Sequence, residues 1–385
     1  MALCWAIVGG LFARWIPGGA FGVVVLAIIA TSPLLLLVRG FTRGGYPGRA
    51  QRLLVLRPFW YVQLLLPVTA IAAVTGMLAG AGTGIFLGDV VTLAVRGGRV
   101  GVLVALAVAL AFFIAGYIGS RRLVVRRFVA SSPNLPAGFE GARIVQLSDL
   151  HVGPHTPKRK LARIAALTRE AEPDLIALTG DLVDDYARDT EPFEAGLGHF
   201  HAPLGVFAIA GNHDIFAGWT EVHARFERQG MRVLVNAAAR VERGGDVMAV
   251  LGTGDPAGWQ FTRRGGADAA PDVQRAVSAA RAMVGDGYVL ALAHNPALWP
   301  ELARARIDLT LSGHTHWGQF ALPGIKWSLA SPFLELAMGE YVRGASVLYV
   351  HPGTNYWGLP FRLGTPPEIA VITLRRGAAT FELED

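Results

Sequence analysis

Up to Glu140 the chain carries only two carboxylates, Asp89 and Glu140, no histidine and no lysine, and every basic residue is an arginine. All ten histidines, all three lysines and nearly all the carboxylates follow. So sharp a break means two parts built for two solvents, and no single soluble fold accommodates both. The front part contains three long apolar runs, Ala20–Val38, Phe59–Gly80 and Val100–Gly119. Each is about as long as the ~20 residues a helix needs to cross the hydrocarbon core. Gly82–Val95 is a weaker fourth candidate, short and carrying Asp89, for which a loop position is preferred. Ala2–Phe12 is apolar but short, and lacks the charged start and small-residue cleavage site of a signal peptide.

The net charge of +6 and a pI near 9.8 do not point to nucleic acid. The positive excess belongs to arginines flanking the apolar runs, where charge sets membrane orientation. One group is Arg39, Arg43, Arg49, Arg52 and Arg57; the other is Arg121, Arg122, Arg126 and Arg127. Both belong on the cytoplasmic side, and two crossings between them put the rear part in the cytoplasm. A crossing by Gly82–Val95 would reverse that. The single cysteine, Cys4, excludes an internal disulfide. The expected organisation is a membrane region over 1–128, a linker over 129–141 around the Pro-, Ser- and Gly-rich Ser131–Gly141, and a second domain over 142–385.

In the rear part a short apolar run repeatedly ends in a polar cluster. Arg143–Leu147 leads into Ser148-Asp149-Leu150-His151, and Leu175–Leu178 into Thr179-Gly180-Asp181. Val206–Ala210 leads into Gly211-Asn212-His213-Asp214, Tyr288–Ala293 into His294, and Leu309–Leu311 into Ser312-Gly313-His314-Thr315-His316. Runs of this length and composition are buried strands, and Lys158–Arg169 has the spacing of an amphipathic helix. The fold class is therefore α/β, with polar residues at five strand ends, where sheets of this class bind ligands. Carboxylates, an amide oxygen and imidazoles without thiolate suit Mn, Fe, Zn or Mg. A carboxylate at Asp181 can bridge two such ions.

Asp149-x-His151, Gly180-Asp181, Gly211-Asn212-His213-Asp214, His294 and Gly313-His314-Thr315-His316, in that order, resemble the calcineurin-like metallophosphoesterases. The tail Pro366-Pro367-Glu368-Ile369 and the Gly318-Gln319 pair add a likeness to the bacterial branch with an N-terminal membrane segment. That branch includes phosphodiesterases and an enzyme cleaving the pyrophosphate of a UDP-linked diacylglucosamine. The resemblance implies a four-layer α/β/β/α sandwich behind the α-helical transmembrane region, and two divalent ions, with Mn favoured. Asp149, His151 and His316 would hold one ion and Asn212, His294 and His314 the other, with Asp181 between them. His213 would protonate the leaving oxygen, Asp214 would orient or polarise His213, and hydroxide on the metal pair would be the nucleophile.

The implied reaction is hydrolysis of a phosphodiester, pyrophosphate or phosphomonoester, with a lipid-related or membrane-proximal substrate preferred because of the anchor. The competing readings are a nuclease or cyclic-nucleotide phosphodiesterase, and a non-catalytic metal-binding membrane sensor. Asp184 is either a neighbour of the site or a helix cap. Trp317 is expected to narrow the pocket or offer a stacking face, and Arg362 to meet a second phosphate or pack in a structural corner. His155, His199, His201, His223 and His351 are read as surface or core histidines, and Gly252-Thr253-Gly254-Asp255 as a strand end and turn.

Overall fold

The computed structural model describes residues 1–36, 49–153, 156–184, 186–197, 199–262 and 265–384, so His155 lies outside the described residues. Contacts divide the chain into Met1–Ala115 and Gly116–Asp385.

In the first unit three helical stretches are long and apolar enough to cross a membrane: Gly19–Leu36, Leu54–Leu87 and Val90–Ser120. Gly82–Val95 is not a separate span. It is the hairpin turn between the last two helices, with Gly88 left-handed at φ 77° and Asp89 Oδ1 accepting from the Thr92 amide at 3.1 Å. That interfacial capping role explains a carboxylate between two apolar runs. The two helices approach through glycine. A Cβ at Gly76 would lie 2.2 Å from the Gly97 carbonyl oxygen, and one at Gly80 2.1 Å from that of Leu93. Small residues four apart let membrane helices pack backbone to backbone where no hydrophobic driving force exists between them.

The second unit is built on fifteen strands: β1 Val124–Ser132, β2 Arg143–Leu147, β3 Leu175–Leu178, β4 Val206–Ala208, β5 Arg232–Val233, β6 Ala237–Arg243, β7 Asp246–Gly252, β8 Val289–Leu292, β9 Leu309–Ser312, β10 Ala321–Leu322, β11 Trp327–Ser328, β12 Gly339–Arg343, β13 Ser346–Val350, β14 Glu368–Arg376 and β15 Thr380–Leu383. One mixed sheet runs β15-β1-β14-β2-β3-β4-β5 and a second runs β12-β13-β9-β8-β7-β6.

Alternation of side chains along each strand decides which face goes where. Ile144, Leu175, Ala177 and Phe207 from the first sheet meet Val250, Leu290, Leu292, Leu309 and Leu311 from the second in one buried cluster. The residues between them, Val145, Ile176 and Leu178, turn outward onto helices Lys158–Glu170, Thr190–Leu197 and Asn212–Arg228. Ala249, Val289, Ala291 and Leu348 likewise pack on helices Val273–Val284 and Trp299–Arg304. Two sheets face to face with helices outside give the four-layer α/β/β/α sandwich. Strands β2 to β4 and β8 to β9 are parallel to their neighbours within this order, so their C-terminal ends lie at one edge.

The expected linker is corrected here. Residues 124–132 form β1, paired in parallel with β14 from Val124↔Glu368 to Ser132↔Arg376. The sheet therefore begins inside the region assigned to the membrane, and its partner strand lies more than 200 residues away in sequence. Arg126 ends in an ion pair with the buried Glu368 at 3.3 Å. A fragment starting at Pro136 loses β1 and uncovers both β14 and β15. It is expected to aggregate or melt well below a fragment starting at Arg122, as read by size exclusion and thermal unfolding. Equal melting temperatures would show β1 to be dispensable.

Candidate metal centre

Three of the five polar clusters leave their strands through a backbone that bends the wrong way for an ordinary residue. Asp149 (φ 52°), His151 (φ 40°), Asp181 (φ 51°), His314 (φ 72°) and His316 (φ 50°) all lie in the left-handed region. For a non-glycine residue each such conformation costs about 1–2 kcal/mol. Five of them in one place are held by the surrounding ladder, as strain at functional sites generally is. The His151 amide donates to the Asp181 carbonyl at 3.0 Å, and the Asp149 amide to that of Gly180 at 3.0 Å. Glycine is required where these loops touch. A Cβ at Gly313 would lie 1.9 Å from Ser148 Oγ and 2.3 Å from Asp149 Oδ2, and one at Gly211 2.3 Å from Asp181 Oδ1.

The seven residues expected as metal ligands all come together. His151 Nε2 and His316 Nε2 are 3.0 Å apart, and His316 Nε2 is 3.2 Å from Asp149 Oδ1. Beside them, Asn212 Oδ1 lies 3.2 Å from His294 Nε2 and 2.9 Å from His314 Nδ1. Asp181 Oδ2 stands between the two groups, 3.7 Å from His151 Nε2 and 3.3 Å from His294 Nε2. Among the described residues, three groups have donor atoms close enough to share an ion: Asp149, His151 and His316; Asp149, Asp181 and His294; and, towards the rim, His151, Asp184 and His213.

The donor chemistry fits a metal better than a hydrogen-bond network. Two ring nitrogens 3.0 Å apart can hold only one proton between them, and both also face carboxylates. His151 Nδ1 is buried without a hydrogen-bond partner, with Asp184 Oδ1 at 3.5 Å. Burial, then the neighbouring cation Arg362, holds His316 well below the usual imidazole range, and burial and then His294 lower His314 to about 4. Both keep their lone pairs at neutral pH. Burial works against charge on His294, yet the Asp181 carboxylate holds it well above its ordinary value. Asp181 is held well below its own, because His294 and then His213 outweigh its burial. The remaining ring nitrogens are oriented from behind: His294 Nδ1 donates to the Thr179 carbonyl at 2.8 Å, leaving Nε2 as the donor atom.

His213 sits 8% exposed at the rim, its ring edge-on to His151 at 4.7 Å between centroids and 5.7 Å from Trp357. Its Nδ1 donates to the Asp184 carbonyl at 2.8 Å, which fixes the tautomer. Asp184 thus belongs to the site, as its spacing from Asp181 allowed.

Asp214 departs from expectation. Its Oδ1 accepts from the amides of Leu182 and Val183, both at 3.0 Å, and its Oδ2 from that of Gly211 at 2.9 Å. Both oxygens are committed to backbone, so Asp214 ties the start of helix Asn212–Arg228 to the loop after β3 and does not orient His213. Burial and the nearby Asp181 raise it to about 7.

Arg362 and Trp317 turn out to be structural. The Arg362 guanidinium is buried and donates to the carbonyls of His316 at 2.9 Å and Pro352 at 2.5 Å, and to His316 Nδ1 at 2.8 Å. It clamps a ligand and does not meet substrate. Trp317 is buried with Nε1 donating to the Val350 carbonyl at 2.8 Å, so it offers no stacking face. Trp357, half exposed beside His213, is the aromatic at the rim. From the sequence, its aromatic-rich loop His351–Gly358 is expected either to line a substrate rim or to pack as a structural corner.

Residues 142–318 match the family model described as calcineurin-like phosphoesterase. The chain carries a calcineurin-like metallophosphoesterase domain. It is 33% identical over 252 residues to a "Transmembrane protein with metallophosphoesterase domain" of Danio rerio, an alignment covering 63% of this chain and 55% of that protein. The chain thus spans little more than half the length of that relative. It is also 28% identical to an uncharacterized metallophosphoesterase of Aquifex aeolicus (strain VF5), covering 66% of this chain and 92% of that one. The metallophosphoesterase YkuE of Bacillus subtilis (strain 168), likewise uncharacterized, is 28% identical over 68% of this chain and 88% of its own.

The Asp181 carboxylate favours a proton on His294, and an ion taking that nitrogen would have to displace it. Metal binding is therefore expected to release protons, and affinity to fall as pH is lowered. Calorimetric titration of Mn in buffers of different ionisation heat checks this. A binding heat independent of buffer would contradict the assignment of His294.

Proposed function

We propose that the chain hydrolyses phosphate esters, with a phosphodiester or pyrophosphate of a lipid-related, membrane-proximal substrate preferred over a phosphomonoester. The observation that carries this reading is the meeting of two donor groups on the single carboxylate of Asp181. Asp149, His151 and His316 would hold one divalent ion and Asn212, His294 and His314 a second, with Asp181 shared. A nitrogen and oxygen donor set without thiolate accepts Mn, Fe, Zn or Mg, and Mn is our choice among them. When bound, such a pair neutralises the phosphoryl charge and lowers the pKa of water for in-line attack.

The chain's own residues do the rest. His213, with Nδ1–H tied to the Asp184 carbonyl, presents Nε2, which in the imidazolium form would give its proton to the leaving oxygen and return the ring to neutral. The aromatic face of Trp357 beside it bounds the leaving-group side. Asp214 acts one step removed, by fixing where helix Asn212–Arg228 begins and so where Asn212 and His213 stand.

The two long helices Leu54–Leu87 and Val90–Ser120 lie in sequence between the two arginine groups. Two crossings return the chain to the side where it started, which supports a bacterial plasma-membrane protein with its catalytic part in the cytoplasm.

The test is hydrolysis of bis-p-nitrophenyl phosphate and p-nitrophenyl phosphate by the full chain in detergent, stripped of metal and after Mn addition. Turnover is expected only with metal and is expected to vanish in Asp181→Asn. His213→Ala is expected to lose roughly 10²–10⁴-fold on an alkyl ester, the usual reach of general acid catalysis, and much less on p-nitrophenyl esters, whose leaving group needs no proton. Equal losses on both would remove His213 from the acid role. Two bound ions without turnover on any ester would favour the binding-only reading.

A further inference from the structure

The second unit begins at Gly116, in the last turn of helix Val90–Ser120. That turn bears the marks of a membrane boundary: Tyr117, with the Arg121 guanidinium 4.6 Å over its ring, and Arg122 next in line. It is also bonded to the site. The Arg362 amide donates to the Gly116 carbonyl at 2.8 Å. A Cβ on Gly116 would lie 2.0 Å from the Phe361 ring, and one on Gly119 1.9 Å from the Arg362 carbonyl oxygen.

The strand of contacts continues. The Leu363 amide donates to the Gln319 carbonyl at 3.1 Å, and the Ala321 amide to the Leu363 carbonyl at 3.0 Å. The Gln319 side chain donates to the Trp357 carbonyl and accepts from the Trp357 amide, both at 3.0 Å. From Phe320 to Leu336 the chain then forms the β10–β11 hairpin and the turn after it, with Lys326 and Glu335 its only charges. Leu322, Ile325, Leu329, Phe333 and Leu334 stand exposed there, Ile325 by 72% and Phe333 by 81%.

From Gly116 onward, twelve large apolar side chains are exposed among the described residues. Eight of the twelve fall on three segments bonded to one another: residues 117–118, residues 322–334 and Trp357. Scattered apolar residues on a surface mean nothing, but a contiguous patch marks a membrane or partner. Here the patch is linked, through the backbone of Arg362 and Leu363, to the last turn of the apolar helix.

We propose that Phe320–Leu336 is a foot resting in the lipid interface of the same bilayer, beside the point where helix Val90–Ser120 emerges. Its apolar side chains enter the headgroup boundary, in the manner of interfacial amphipathic segments, while Lys326 is held by Glu340 at 2.5 Å. The foot follows His316 by four residues, so it holds the metal centre close over the headgroups. The docking stands on the contacts above. Only its consequence, that the scissile phosphate sits at headgroup depth, rests on the hydrolase reading.

The experiment uses the full chain in nanodiscs, one copy per disc, with Cys4→Ser and a single bimane-labelled cysteine at Ile325→Cys, Phe333→Cys or, as a control on helix Val273–Val284, Met283→Cys. Doxyl-labelled lipid is expected to quench the first two at least threefold more than the control, with Mn-dependent hydrolysis of bis-p-nitrophenyl phosphate confirming the fold of each. Quenching no greater than at Met283→Cys would overturn the foot. Absent lipid quenching in the discs, together with an intermolecular disulfide formed by the unlabelled Phe333→Cys chain in detergent, would assign the face to a second copy and overturn it equally. Quenching without any ester hydrolysis, in variants and parent alike, would sink the hydrolase reading and leave the foot standing.

Discussion

Everything in the second unit's polar site is organised around one carboxylate that two sheets share. Asp181 leaves β3 of the first sheet, yet its Oδ2 faces His294 from the end of β8 in the second. Its Oδ1 accepts from the His213 amide at 2.7 Å, at the N-terminus of helix Asn212–Arg228. A charge buried this deeply survives only with partners on every side. The partners arrive from opposite layers, so the site exists only while the layers are in register. The apolar cluster between the sheets supplies most of that register. One polar brace lies beneath the donors: the Gln146 amide of β2 donates to Thr179 Oγ1 and to the Ser312 carbonyl of β9, both at 3.0 Å.

The spacing of the motifs follows from the same geometry. A strand sends alternate side chains to opposite faces, so two donors two residues apart share a face only if the backbone stays extended. Asp149 and His151 do converge, but through left-handed turns at both residues. His314 and His316 repeat the device from the other sheet, and the glycines before Asp181, Asn212 and His314 let these turns approach to contact. What reads in the sequence as a glycine followed by a ligand is thus a statement about clearance.

The gathering of the seven candidate residues is legible because each sits at the end of an apolar run that can be read locally, and five ends in order leave little freedom. The parts that escaped local reading depend on distant pairing. The strand Val124–Ser132 looks like an arginine-flanked joint running into a linker, because Arg126, Arg127, Ser131 and Ser132 hide its alternation. Its reason for being a strand is β14, which only the folded chain brings alongside. Asp214 stands next to a histidine in sequence, which suggested an orienting pair. Its oxygens instead reach the amides of Leu182 and Val183, thirty residues earlier. Arg362 is the same case: only the fold shows that the carbonyls of His316 and Pro352 are waiting for it.

The left-handed ligands have one more consequence, for how an ion leaves. In a flexible site, loops swing away one donor at a time and the ion departs stepwise. Here the amides of Asp149 and His151 are bonded to the carbonyls of Gly180 and Asp181, so the loop after β2 cannot swing without breaking its link to the loop after β3. Escape then waits for a breathing motion of the two sheets together, and such openings approach the full unfolding free energy. Ions held there would behave less like a dissociable cofactor than like a fitting installed when the chain folds.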